Sequence, residues 1–201
     1  MTTIEAAIAY VEKLFRNNSG GHDAAHTMRV YQNALRIAQS APDCDREIVA
    51  LAALLHDADD HKLFRTENNA NARAFLNAHS VEKTERIIEA INAVSFSQNR
   101  GRRPETLEGQ IVQDADRLDA IGAVGIARAF AFGGEHGRSL NDTIQHFHDK
   151  LLLLKNEMNT PAAQSLAEER HAYMLDFLTQ FTKETESARR EAFICPPDKN
   201  A

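Results

Sequence analysis

Every residue from Ile48 to Leu55 is apolar, and the run ends on His56-Asp57. A helix built from that run is apolar on all sides, as a central core helix is and a surface helix with one greasy stripe is not. The rest of the chain therefore has to wrap around it. The run also sets a chemical demand, since an imidazole and a carboxylate at the end of a buried helix need a partner, and a divalent cation suits both. Asp59, Asp60, His61 and Lys62 follow at once, so the chain leaves the core through a dense group of titratable side chains. The simpler alternative is a polar pair satisfying itself at a helix C-terminus, where the dipole favours imidazolium but disfavours a carboxylate.

Two further segments shift the balance toward a metal. The stretch Gly21 to Val30 opens a helix in which Val30, Ala34 and Ile37 share a face with His26, which turns His26 coreward with Arg29 beside it. His22 stands one turn earlier at the helix start, where Asp23 offers a cap, and orienting or touching substrate suits it better than ligation. Farther on, helical apolar spacing predicts one long helix from about Thr106 to Phe132. Within it Asp116 shares a stripe with Val112, Ala120, Ala123 and Ala127, while Asp114 falls on a polar edge near Gln110 and Arg117. His26, His56, Asp57 and Asp116 would supply two imidazoles and two carboxylates from three helices. Positions left open on such an ion are the mark of catalysis rather than scaffolding.

With these residues in this order the chain resembles the HD-domain phosphohydrolase superfamily, whose signature is a distant His, an adjacent His-Asp pair and a later Asp. More narrowly it resembles a bacterial nucleotide pyrophosphohydrolase-like branch. The matching segments are His22 to Val30, His56 to Lys62 and Asp114 to Ala120, continued by Ser95-Phe96-Ser97, by Ile121 to Arg128, and by Ile144 to Phe147 with Lys150-Leu151-Leu152. The resemblance implies an all-α, single-domain irregular helical bundle of about eight helices, and the ligand set His26, His56, Asp57 and Asp116, with Asp116 preferred to Asp114. It implies hydrolysis of nucleoside or deoxynucleoside triphosphates to monophosphate and pyrophosphate, and it brings His146 or Lys150 near the substrate phosphates. The stretch Gly133 to Asp142 is shorter than the insertion some related chains carry between two helices, which bears on substrate preference.

The chemistry follows from charge. A divalent ion held by neutral imidazoles and carboxylates lowers the pKa of bound water toward neutrality, and the hydroxide so formed can attack phosphorus. Mixed nitrogen and oxygen ligation suits one Mn2+ ion first, with Co2+, Ni2+ or Mg2+ behind it. Arg29, Arg117 and Lys62 are placed by the motifs to offset phosphoryl charge, and Asp60 is the leading candidate for proton transfer. Two other readings compete: a nucleotide monophosphatase or phosphodiesterase at the same site, and a helical module that senses nucleotide or metal without turnover.

Composition bounds the remaining choices. A chain of 201 residues with 43% hydrophobic and 26% charged side chains suits one domain, set here at 1–191, with a tail from 192 to 201 expected to fray. The formal charge of −6 argues against a binder of polymeric nucleic acid. No apolar stretch approaches a membrane span and no secretory signal opens the chain, so a cytoplasmic protein is expected, with Cys44 and Cys195 reduced. The partner is a small phosphate-bearing molecule, a nucleotide by resemblance, and a homodimer stays open. The breaks at Gly101 to Pro104, Gly133-Gly134 and Asn159-Thr160-Pro161 punctuate helices, with Thr160 as an N-cap, Pro161 at the first helical position and Gly133 ending the long helix. His79 and His136 read as structural or solvent-exposed, the pattern for a second metal on His61 and His79 is incomplete, and His148 lies on a different helix face from His146.

Overall fold

The computed structural model describes residues 1–16, 23–61, 63–94 and 102–194, with side chains as far as 185. Among these residues the chain is all-helical, with nine α-helices and one 3-10 turn: α1 Thr3–Leu14, α2 Ala24–Ala38, α3 Arg46–Leu55, α4 Ala70–Ala78, α5 Thr84–Asn92, α6 Leu107–Asp119, α7 Gly122–Glu135, α8 Leu140–Asp149, the 3-10 turn Leu151–Glu157, and α9 Pro161–Ile194.

Helix α3 begins where the Asp45 carboxylate accepts hydrogen bonds from the backbone N–H groups of Glu47 and Ile48, and every residue from Ile48 to Leu55 is buried. Removing a leucine side chain such as Leu51, Leu54 or Leu55 from water contributes about 1.5–3 kcal/mol. That apolar girth is satisfied on several sides at once, by α2, α5, α6 and α1. Helix α2, capped by Asp23 through the backbone N–H of His26 at 2.6 Å, packs most extensively against α6 and α3. The three segments carrying the chemistry are therefore mutual neighbours.

The expected helix from Thr106 to Phe132 is broken. Ile121 is extended and buried, and Gly122 takes φ +77°, a left-handed conformation that costs glycine little and other residues much. A side chain at 122 would also meet the aliphatic stem of Arg170 from α9. Apolar spacing carries through this corner because both helices bury one face, so periodicity alone does not see it. Gly133 does not end a helix. It lies inside α7, where a methyl group would collide with the Thr143 hydroxyl of α8, and the left-handed turn falls instead at Gly137 with φ +66°. Helix α4 begins at Ala70, after Asn68 and Asn69 take positive φ. Thr160 caps α9 as expected, its hydroxyl accepting from the Ala163 N–H, and α9 runs as backbone through 191 to Ile194. Phe130, Phe147, Phe177 and Phe181 pack ring to ring and join α7, α8 and α9. No described helix is long and apolar enough to cross a membrane.

Candidate metal centre

His26 lies in the first turn of α2, and its ring is 1% exposed. His56 is the C-terminal cap of α3, with Asp57 beside it in the turn that follows. Asp116 comes from the last turns of α6. Ligand atoms of His26, His56 and Asp57 all lie within 4.8 Å of one another. The two Nε2 atoms are 3.3 Å apart. Asp57 Oδ2 is 3.4 Å from each of them, and Asp116 Oδ1 is 3.4 Å from His26 Nε2 and 4.0 Å from His56 Nε2.

Hydrogen-bond logic fixes what these atoms present. His56 Nδ1 is 2.8 Å from the Ala53 carbonyl, which can only accept, so in the neutral ring Nδ1 carries the proton. His26 Nδ1 is 2.7 Å from Asp119 Oδ2, and the same argument applies. Both Nε2 atoms are then bare lone pairs, aimed at each other and at two carboxylate oxygens. A cation suits acceptor atoms gathered this closely. Ligands held about 2.1 Å from one ion lie about 3.0–3.4 Å from each other, which matches every spacing here except the 4.0 Å between Asp116 and His56. Without a metal a proton supplies the charge: burial works to lower the His26 pKa, but the hydrogen bonds with Asp119 and Asp57 and the nearby carboxylate charges outweigh it and push it up to about 9.

Asp116 and Asp114 part company. The Asp116 side chain is 29% exposed and forms the open side of the cluster. Asp114, expected on a polar edge, is fully buried and faces the other way. Its carboxylate receives the backbone N–H and side-chain amide of Asn159 and the backbone N–H and hydroxyl of Thr160, all at 2.8 Å. It is an anchor for the start of α9. Arg117, expected at the substrate phosphates, is 5% exposed and directed away, with its guanidinium on the carbonyl and carboxylate of Glu157. Helical geometry explains both corrections, because each residue turns about 100° around the helix, which sets Arg117 about 100° and Asp114 about 160° away from Asp116.

The acidic turn after His56 divides its labour. Asp59 accepts from the backbone N–H groups of Asn71 and Ala72 and so caps the start of α4. The Asp60 carbonyl takes the N–H groups of Leu63 and Phe64, leaving a partly buried side chain at the turn. His61 is exposed. His22, Lys62 and Ser95-Phe96-Ser97 lie outside the described residues. His146 and Lys150 sit at the end of α8, packed mainly against α7 and the 3-10 turn, and burial lowers the His146 pKa ahead of the Lys150 charge. His79 and His136 end α4 and α7, each bonded to a carbonyl one turn back and stacked on Phe75 or Phe132.

One residue of the centre escapes sequence reasoning. Asp119, the last residue of α6, is 2% exposed and touches His26, Arg29 and Arg128. It falls one turn beyond Asp116, a signal present in Asp116-Arg117-Leu118-Asp119, but Arg128 reaches it only because the helix breaks after it. On the outer side of this group, Arg29 and Asp119 also line an open cleft of about 660 Å³ between α2, α7 and α9.

Comparison with known proteins agrees with this geometry. A family model described as HD domain matches residues 23–121, which span all four expected ligands. The uncharacterised protein YpgQ of Bacillus subtilis is 42% identical over 186 residues, covering 87% of this chain and 90% of YpgQ. The crystal structure of B. subtilis YpgQ in complex with ADP superposes with a TM-score of 0.76 at 40% identity, over 90% of this chain and 97% of that one. An HD-superfamily hydrolase from Bacillus thuringiensis gives 0.75 at 38% identity, over 92% and 99%.

Proposed function

Since the chain belongs to the HD-domain family, we propose that it is a metal-dependent phosphohydrolase that cleaves nucleoside or deoxynucleoside triphosphates to the monophosphate and pyrophosphate. The observation that carries the hydrolase reading is the gathering of His26, His56 and Asp57 ligand atoms within 4.8 Å of one another, with Asp116 Oδ1 3.4 Å from His26 Nε2. His26, His56, Asp57 and Asp116 would hold one divalent ion, Mn2+ by the mixture of nitrogen and oxygen donors. When bound, such an ion supplies Lewis acidity, which lowers the pKa of water and offsets phosphoryl charge.

The chain's own residues do the rest. Asp116 stands at the exposed edge, where substrate would enter. The Asp60 carboxylate is the proposed acceptor of the proton that the attacking water loses. His22, Arg29, Lys62, His146 and Lys150 remain the proposed contacts to the substrate phosphates, Arg29 with its side chain still 34% exposed, and Arg117 leaves that set because its guanidinium is committed to Glu157. The nucleotide part of the proposal draws on the sequence motifs and on YpgQ, a relative that binds ADP in its crystal.

The test is a panel of nucleoside and deoxynucleoside phosphates with Mn2+, read by which product appears. Pyrophosphate from triphosphates supports the reading. Orthophosphate from monophosphates, or ring opening of cyclic nucleotides, would replace it with another hydrolase at the same centre. Tight binding without any product under all divalent ions would make the protein a sensor.

A further inference from the structure

The two imidazoles of the centre are oriented in different ways. His56 donates to the carbonyl of Ala53 on its own helix, a partner that comes with the backbone. His26 donates to a side chain that arrives from α6, Asp119, whose own position is held from α2 and α7. Arg29 of α2 grips both oxygens, Nε to Oδ1 at 2.7 Å and Nη2 to Oδ2 at 3.1 Å. Arg128 of α7 adds Nη1 to Oδ2 at 2.6 Å. Oδ2 therefore accepts from the ring and from both guanidiniums, and the carboxylate cannot swing toward solvent without breaking charged contacts on two sides.

From this geometry we infer that Asp119, clamped by Arg29 and Arg128, is the positioning residue of His26. Its Oδ2 holds the proton on Nδ1, which leaves Nε2 bare, and it fixes the ring plane so that Nε2 points at Asp57 and Asp116. Asp119 touches neither the ion nor the substrate; it acts through the ring. The inference rests on the metal-centre reading above and adds a residue to it. Partners of this kind raise ligand basicity and remove a rotational freedom, and their loss costs about 10–100-fold in metal affinity.

The experiment compares the full-length protein with Asp119→Ala, Asp119→Asn and Arg128→Met. Mn2+ binding is measured by calorimetry, the His26 ring by 15N–1H spectra of metal-free and Zn2+-loaded protein, and helix content by circular dichroism. Asp119→Ala is expected to bind Mn2+ about 10–100-fold more weakly and to lose the protected Nδ1–H signal. Asp119→Asn is expected between it and the wild type, because one amide oxygen still accepts the Nδ1 proton while Arg29 loses its partner. Arg128→Met, which never meets the ring, is expected to keep the Nδ1–H signal with a smaller loss. Should Asp119→Ala prove unfolded, the Asn and Met variants decide the matter by the same readouts. Equal affinities in all variants, or an equal loss in all three, would overturn the role of Asp119 while leaving the centre intact. If the wild type takes up neither ion, the reading of the centre falls, and this role falls with it.

Discussion

At the scale of single residues, Asp114 and Asp116 do different work two positions apart, and substitution separates them. Asp116→Ala and His56→Ala are each expected to reduce turnover by at least about a hundredfold, since losing a ligand should cost no less than losing the residue behind one. Asp114→Ala should leave the cluster in place and strike the fold instead. It strands the Asn159 and Thr160 N–H groups and the Thr160 hydroxyl in a buried place, a cost of about 3 kcal/mol or more. Urea unfolding and steady-state rates measured on the same variants check both halves, and equal loss of turnover with intact stability in Asp114→Ala would reverse the assignment. The juxtaposition of His26, His56, Asp57 and Asp116 was legible from sequence because chemistry-bearing residues sat on apolar helical faces. What Asp114, Arg117 and Asp119 touch was not, because their partners lie in segments whose approach no local pattern encodes.

Among the elements, α7 carries two glycines whose replacement is expected to have opposite signs. Gly125 packs where α6 turns into α7, and a methyl group there would run into the Ala120 backbone carbonyl. Because that neighbour is main chain, Gly125→Ala should destabilise the protein by about 2–3 kcal/mol, as overpacking does. Gly134 has nothing within 4 Å of the space a methyl group would fill. Gly134→Ala should therefore gain about 0.5–1 kcal/mol through helix propensity. Denaturant midpoints distinguish the two, and a stabilised Gly125→Ala would show that the corner yields. The helices themselves were largely readable, since caps such as Asp23 and Thr160 and the apolar run of α3 are local signals. The corner at Ala120–Gly122 was not, as apolar spacing runs through it and Arg170, which lies against it, comes from far along the chain.

For the whole molecule, the centre gathers α2, α3 with its following turn, and α6, so an ion there ties together the middle of the fold. At a free ion concentration one hundred times its dissociation constant, binding adds about 2.7 kcal/mol to stability. With about 2–4 °C per kcal/mol for a chain of this size, chelation should lower the melting temperature by about 5–10 °C, and Mn2+ should restore it. His56→Ala should show no such response; a wild-type melting curve indifferent to both chelator and Mn2+ would rule the coupling out. The all-α architecture was implied by the resemblance and the helix punctuation, and a wrapped core by the run Ile48 to Leu55, whereas the seating of α9 on Asp114 and Leu118 required the structure. The ligand-bearing positions lie between 26 and 116, but Arg128, Thr160 and Arg170 brace them from later in the chain. During translation, a nascent polypeptide would thus expose the four proposed ligands before the segments that stiffen them are made, so full-strength capture should await the emergence of α9.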